Sequence, residues 1–255
     1  MPKRLFTWGL IALIVAFTVW SVSVTGFNIV AIYQGFFVKP FLRQFIQGMW
    51  PLNWTILEEV LYQTLVTIQI AWLGTLIAAV ISLPLSFLAA RNITPAVAIG
   101  ISIRSFFNID RSIDVLIVAL IFVTGVGLGP LAGVLAIGIH SIGAMGKLFT
   151  EAIESIDRGP IEALESTGAS HSQVVRWAVV PQVIPHLISL SLYRLELNIR
   201  SSVVLGLVGA GGIGFLLVDN MRQFQYQNVS LILLVITALV MLIDYLSGRL
   251  RKSVL

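Results

Sequence analysis

Cysteine is absent from the 255 residues of this chain. Disulfide bridges, thiolate metal sites and thiol chemistry are therefore excluded. Charge is also scarce. Asp, Glu, Lys and Arg supply 11% of the residues, where ordinary soluble domains carry about 25%. Histidine occurs three times, at His140, His171 and His186. None of these has the HxxxH or HExxH spacing of a metal site, so no metal ligand is assigned. No GxxxxGK[ST] stretch is present, so the chain cannot cradle ATP phosphates by that route. No His, Asp or Glu cluster stands at useful spacing, so no catalytic residue is assigned either.

Apolar residues are in excess, at 57% of the chain. A core for a chain of this size cannot absorb that excess, so apolar surface must face lipid. Runs long enough to cross a membrane need roughly 20 apolar residues. Six segments qualify as expected spans, near 8–32, 58–90, 111–127, 130–149, 182–205 and 228–248. The expected fold is all-α and polytopic, with six transmembrane helices. The net charge of +4 does not indicate nucleic acid, because the basic residues flank apolar runs as topology signals. The start, Met1-Pro2-Lys3-Arg4 before an apolar run, has the layout of a signal peptide. That run continues to about Ile32, which is long for a signal sequence, so a retained first helix is expected.

Basic residues set the expected orientation. Lys3, Arg4, Arg91, Arg104, Arg111, Lys147, Arg158, Arg176, Arg249, Arg251 and Lys252 fall on one side of the six-span arrangement. They are eleven of the sixteen Lys and Arg. Lys39, Arg43 and Arg222 fall opposite. The positive-inside rule places the larger group in the cytoplasm, with both termini. The stretch Thr94 to Asn108 is apolar enough for a seventh span, but a full crossing there would reverse the charge pattern. It reads as a short interfacial or partly inserted helix anchored by Arg104. Gly133 and Gly138 read as plain helix-packing positions.

The most polar internal segment lies between the fourth and fifth spans. Gly159-Pro160 opens a short helix, with proline at the first helical position. Glu162 and Glu165 lie in or near its first turn, favourable against the helix dipole. Gly168 ends it, as a residue able to adopt positive φ. Ser170 followed by Gln173 has the capping-box pattern of a second helix, and Pro181 begins the next span. Two short helices at an angle have a shape suited to a groove on another protein. A solvated charged loop is the bland alternative.

The fifth span carries Arg194, Glu196 and Arg200. Three charges deep in a membrane would cost roughly 8–10 kcal/mol on insertion scales, so this helix is expected inside the bundle. Glu196 and Arg200 are spaced i, i+4 and expected to form a structural ion pair. Arg194, Asn198 and Ser201 form a second polar stripe, a candidate translocation path for an anion. The competing reading is an inter-helix salt bridge from Arg194 to Asp114 or Asp244. His140 reads as a satisfied packing histidine. Gly209 to Gly214 satisfies GxGxxG, but no strand precedes it and Asp219 is too close for a dinucleotide fingerprint. It reads as a flexible outer turn near a gate.

The stretch from Glu162 to Pro181, EALESTGASHSQVVRWAVVP, resembles the EAA loop of bacterial ABC-importer permeases. That pattern is Glu-Ala-Ala, three residues, Gly, nine residues, Ile-x-Leu-Pro. Here Glu162, Ala163, Gly168 and Pro181 match, while Leu164, Ala178 and Val180 depart from it but stay apolar. Leu192 to Gly214, with His140 to Gly143 and Lys147 to Glu154, looks like the phosphonate-import permeases, whose relatives carry phosphite or hypophosphite. The resemblance runs from about residue 58 to 250. It implies a type I importer permease in a bacterial inner membrane, coupled to its ATPase through Glu162, Ala163, Gly168 and Pro181. It implies as partners a second permease copy, two cytoplasmic ATPase subunits that bind ATP and Mg, and a periplasmic or lipid-anchored substrate-binding protein. Residues 1–57 then form a first helix and outer segment, and residues 58–255 a permease core with a coupling loop at about 151–181. The resemblance also implies no cofactor in this chain. A permease for another solute, such as an amino acid, and an integral membrane enzyme stay open as alternatives.

Overall fold

The computed structural model describes residues 2–38, 40–94 and 96–254. Lys39, counted above on the outer side, lies outside the described residues, as do the side chains of Lys3, Arg4 and Lys252. The chain divides into two units, Met1–Pro51 and Leu52–Leu255. The first contains α1 (Pro2–Thr25), which breaks at Gly26, then α2 (Ile29–Tyr33) with Asn28 as its side-chain cap, and α3 (Pro40–Gly48).

The second unit holds α4 (Leu57–Ala89), α5 (Val97–Ser112), α6 (Val115–Val126) and α7 (Pro130–Glu154). It continues through α8 (Gly159–Ser166), α9 (His171–Val174), α10 (Val180–Gly206), α11 (Gly212–Arg222) and α12 (Tyr226–Val254). A π-helical turn over Val175–Val179 joins α9 to α10. Among the described residues five stretches are long and apolar enough to cross a membrane: Phe6–Thr25, Trp54–Ala89, Pro130–Glu154, His171–Gly206 and Tyr226–Arg251.

The sixth crossing differs from the sequence expectation. Alone, α6 has 12 residues, about 18 Å of helix, too short for a hydrocarbon core of about 30 Å. It is extended by α5. Gly100 of α5 lies beside the Ala89 carbonyl at the end of α4, and Phe107 packs on Gly146 of α7. Farther along, Val118 and Ala119 of α6 pack in the cluster of Ile70, Ala136 and Ile137. Residues 97–126 thus run along α7 from one end to the other, as one crossing broken at Ile113 and Asp114. Residues 97–108 are accordingly the first part of the third crossing, where a short interfacial or partly inserted helix was expected. The parity of six spans is unchanged.

Small residues hold the long helices together. The inward face of α4 is Ala71, Gly74, Thr75, Ala78, Ser82 and Ser86. Such faces let backbones approach closely where lipid supplies no hydrophobic drive for association. A side chain on Gly74 would meet Ile137 at 2.7 Å, and one on Gly133 would meet the Ala210 carbonyl at 2.8 Å. Polar ties add direction: Ser82 donates to the Ile142 carbonyl at 3.0 Å, and Ser202 to the Thr67 carbonyl at 3.2 Å.

Candidate functional site: an exposed two-helix insert and a charged break in the bundle

The insert between α7 and α10 is built from local signals. Pro160 occupies the start of α8, with Glu162 in its first turn. Gly168 has φ of +78°, and the N–H groups of Gly168 and Ala169 donate back to the Glu165 and Leu164 carbonyls, at 3.0 and 3.3 Å. These bonds satisfy carbonyls that the helix end would leave free. Ser170 and Gln173 form the capping box of α9, with the Ser170 N–H donating to Gln173 Oε1 at 2.8 Å. Pro181 stands at the start of α10. Glu162, Ala163, Gly168 and Pro181 are exposed. Trp177 is 66% exposed with the Arg176 guanidinium over its ring. The insert stays attached to the bundle where Gln182 accepts from the Asp157 N–H at 3.2 Å.

Glu196 and Arg200 lie 3.1 Å apart, and each has a further partner that spacing alone did not reveal. Arg200 reaches Asp244 at 2.5 Å, and Arg251 reaches the second oxygen of Glu196 at 3.0 Å. The four charges tie α10 to α12, and only Glu196 is buried. Removing a buried carboxylate from such a set costs about 3–5 kcal/mol. Exposure of Arg200 and Asp244, and partial exposure of Arg251, screens part of it, so Glu196→Leu is expected to lose about 2 kcal/mol. Thermal unfolding of the purified protein in detergent, against a Glu196→Gln control, measures it.

The proposed polar stripe separates on inspection. Asn198 is buried, donates to Thr75 Oγ1 at 2.9 Å and accepts from Ser141 at 3.1 Å. It ties α4, α7 and α10 together at mid-length, and its amide is occupied by packing. Ser201 is half-buried on the same helix. Arg194 lies one turn from Asn198 toward the α8 end. Its Nε is buried without a hydrogen-bond partner among the described residues, and neither Asp114 nor Asp244 forms an ion pair with it. Asp114 instead caps α6 by accepting from the Leu116 N–H at 2.8 Å.

The electrostatic neighbours of Arg194 are Tyr193, Arg111, Asp110 and His140. The Asp110 carboxylate accepts the Gly143 N–H at 2.7 Å. Only a glycine allows this approach, since a Cβ at Gly143 would stand 2.6 Å from that carboxylate and 2.7 Å from the Phe107 carbonyl. His140 faces the backbone of Ile113 at the break. Its Nδ1 is buried without a partner among the described residues, while the ring keeps a backbone hydrogen bond at Ile113, so the packing histidine expected is satisfied only in part. Sequence reasoning did not single out Asp110. The Asp114-Val115 boundary, with an N-cap residue before an apolar run, was the available signal for the break.

Gly209 to Gly214 also departs from expectation. Gly209 through Gly214 are all buried. The Ile213 N–H donates to Thr67 Oγ1 at 2.8 Å, and the Gly129 N–H donates to the Gly209 carbonyl at 2.9 Å. The segment is a packed corner between α10 and α11, not a flexible turn.

Residues 82–254 match the protein family described as binding-protein-dependent transport system inner membrane component. Over 186 residues the chain is 50% identical to the phosphite transport system permease protein PtxC of Stutzerimonas stutzeri, covering 73% of this chain and 68% of that one. It is 45% identical over 189 residues to the phosphate-import permease protein PhnE of Mycolicibacterium smegmatis, covering 74% of this chain and 36% of that one. Among solved structures, an inward-facing form of the MetNI methionine ABC transporter superposes with a TM-score of 0.69 at 24% identity, over 80% of this chain and all of that one. This last likeness concerns the fold.

Proposed function

The chain belongs to the family of binding-protein-dependent transport system inner membrane components, and from that premise we propose that it moves a phosphorus oxyanion, phosphite or a phosphonate, into the cell. It is a transport subunit and not an enzyme. Membership in an ABC importer entails an ATPase and a substrate-binding partner. The observation that carries the substrate class is the 50% identity with a phosphite permease over most of both chains.

The finer arrangement is part of the same proposal. Two copies face each other around the path, each offering its insert, centred on Glu162, Ala163 and Gly168, to one ATPase subunit. Both termini and the insert lie in the cytoplasm, as the excess of Lys and Arg at that end favours. ATP and Mg are held by the ATPase, and ATP drives transport by favouring one of two permease states over the other. Arg194 lines the path, with Ser201 farther along α10. The unpartnered guanidinium nitrogen favours this role over a structural ion pair, while Asn198 serves the bundle.

The test is ATP-dependent uptake into vesicles holding the chain with its cognate ATPase and binding protein. Labelled phosphite, a phosphonate and phosphate are compared. Uptake of phosphite or the phosphonate is expected, and Arg194→Ala is expected to abolish it while assembly and ATP hydrolysis persist. ATP hydrolysis without uptake of any phosphorus compound would remove the substrate class. Normal uptake by an assembled Arg194→Ala complex would remove Arg194 from the path.

A further inference from the structure

The break between α5 and α6 lies where a lipid-facing segment would be untenable. The hydrogen bonds between Thr75, Asn198 and Ser141 mark the middle of α4, α10 and α7. Ile113 lies beside His140, one residue from that level. Arg111, Ser112, Ile113 and Asp114 are nevertheless exposed, with Ile113 at 39%. Two charged side chains and an interrupted backbone ladder at mid-depth, turned to hydrocarbon, would each cost several kcal/mol. Irregular backbone at that depth is tolerated only in protein or beside a water-filled cavity.

The chemistry gathered at the break suits an anion. Arg194 and His140 each keep a buried ring or guanidinium nitrogen without a partner, and Arg111 adds a second guanidinium. The carboxylates beside them accept backbone N–H groups, Asp110 from Gly143 and Asp114 from Leu116, and stay within electrostatic reach of Arg194 and His140. The start of α6 contributes the positive end of a helix. Their residual negative charge keeps the site from becoming a trap, since passage requires binding weak enough for release.

We propose that the α5–α6 break, with Arg194, His140 and Arg111, is a half-way station for a tetrahedral oxyanion on a water-filled face of the bundle. The proposal rests on the transport reading above for the identity of that oxyanion, but not for the existence of the station.

The lack of native cysteine makes one engineered thiol unique in the permease. Ser112→Cys is the variant of choice, because among the described residues the Ser112 hydroxyl bonds only to the Ile109 carbonyl of its own helix. Ile113→Cys is the second variant, used should the first assemble poorly. In the complex with the ATPase, the thiol is treated with a small anionic thiosulfonate reagent and with its cationic counterpart. Each rate is divided by the rate for a free thiol in solution. The anionic reagent is expected to be favoured by about tenfold, the scale by which a charged cleft concentrates counter-ions. The preference is expected to vanish with Arg194→Gln, and inorganic phosphite or methylphosphonate is expected to slow the reaction. A thiol that neither reagent reaches with or without nucleotide, or equal normalised rates, would overturn the station. An anion preference that neither phosphorus compound diminishes would keep the station and overturn the substrate class.

Discussion

Replacing Gly168 by valine is expected to reduce ATP-driven uptake at least about tenfold while leaving the membrane bundle assembled. The reason is local backbone geometry. Gly168 sits at φ of +78°, a region that costs an L-residue roughly 1–2 kcal/mol and a β-branched one more. No atom stands within 4 Å of an added Cβ, so the penalty is conformational and not a clash. The chain can escape it only by leaving the left-handed turn. The bonds from Gly168 and Ala169 to the end of α8 would then be lost, and α9 would leave α8 at a different angle. A partner gripping both helices would meet a changed surface. An energy of about 1.4 kcal/mol in that contact is a factor of ten in occupancy. Uptake and ATP hydrolysis measured on the same vesicles check the result. Uptake at the wild-type rate would detach this turn from coupling. Gly168→Asn should fall between the two, because Asn tolerates positive φ better than valine.

The insert was legible in the sequence because its determinants are local. A proline at a helix start, a glycine past a helix end and a Ser-x-x-Gln box act within three or four residues, and the structure has each in place. The third crossing was not legible for the opposite reason. A separate crossing at residues 94–108 would have reversed the charge pattern, and nothing in the spacing showed that this stretch joins residues 111–127 in one crossing. Arg104 is satisfied by the Ala89 carbonyl, and Asp110 by the Gly143 N–H, 33 residues away. Long-range partners decided the matter, and spacing cannot report them. The fifth span shows both cases at once. The Glu196–Arg200 pair follows from an i, i+4 interval, whereas Asp244 and Arg251 enter only when α12 is packed alongside. Asn198 was misjudged because an amide on a polar stripe reads the same whether it faces water or binds two neighbouring helices.

Charge is distributed over the bundle in two ways, and the contrast supports separate roles. Around Glu196 every charged group has an ionic partner, as expected of a structural tie. Around Arg194 the carboxylates accept backbone N–H groups instead, and the Arg194 Nε has no hydrogen-bond partner among the described residues. A protein that needed only to neutralise Arg194 had Asp110 among its electrostatic neighbours. The use of these carboxylates as backbone acceptors leaves a positive element in a setting where an unmatched charge is costly. On the proposed reading, that cost is offset when an anion occupies the site in passage.

The second large effect belongs to the glycines at the α10–α11 corner, where Gly206→Ala is expected to lose about 3 kcal/mol, the upper end for overpacking. A Cβ on Gly206 would lie 2.5 Å from the Phe215 nitrogen and 2.6 Å from the Gly214 Cα. Both are backbone atoms, so no rotamer change relieves the contact. A Cβ on Gly214 would in turn strike the Val203 carbonyl. The two helices can accept a methyl group only by moving apart, and α11 is seated on the core of Val60, Ile213, Leu216 and Leu231. Loss of the monodisperse protein in detergent, or a large drop in its unfolding temperature, is the expected measurement. Gly125→Ala, with open space around its Cβ, serves as the control and should be near neutral. Wild-type stability in Gly206→Ala would mean that α11 rides loosely on α10. The glycine-rich stretch that imitates a dinucleotide fingerprint would then need another explanation than close packing. Stability lost in Gly206→Ala and kept in Gly168→Val would separate the glycines that hold the bundle from the one that shapes the insert.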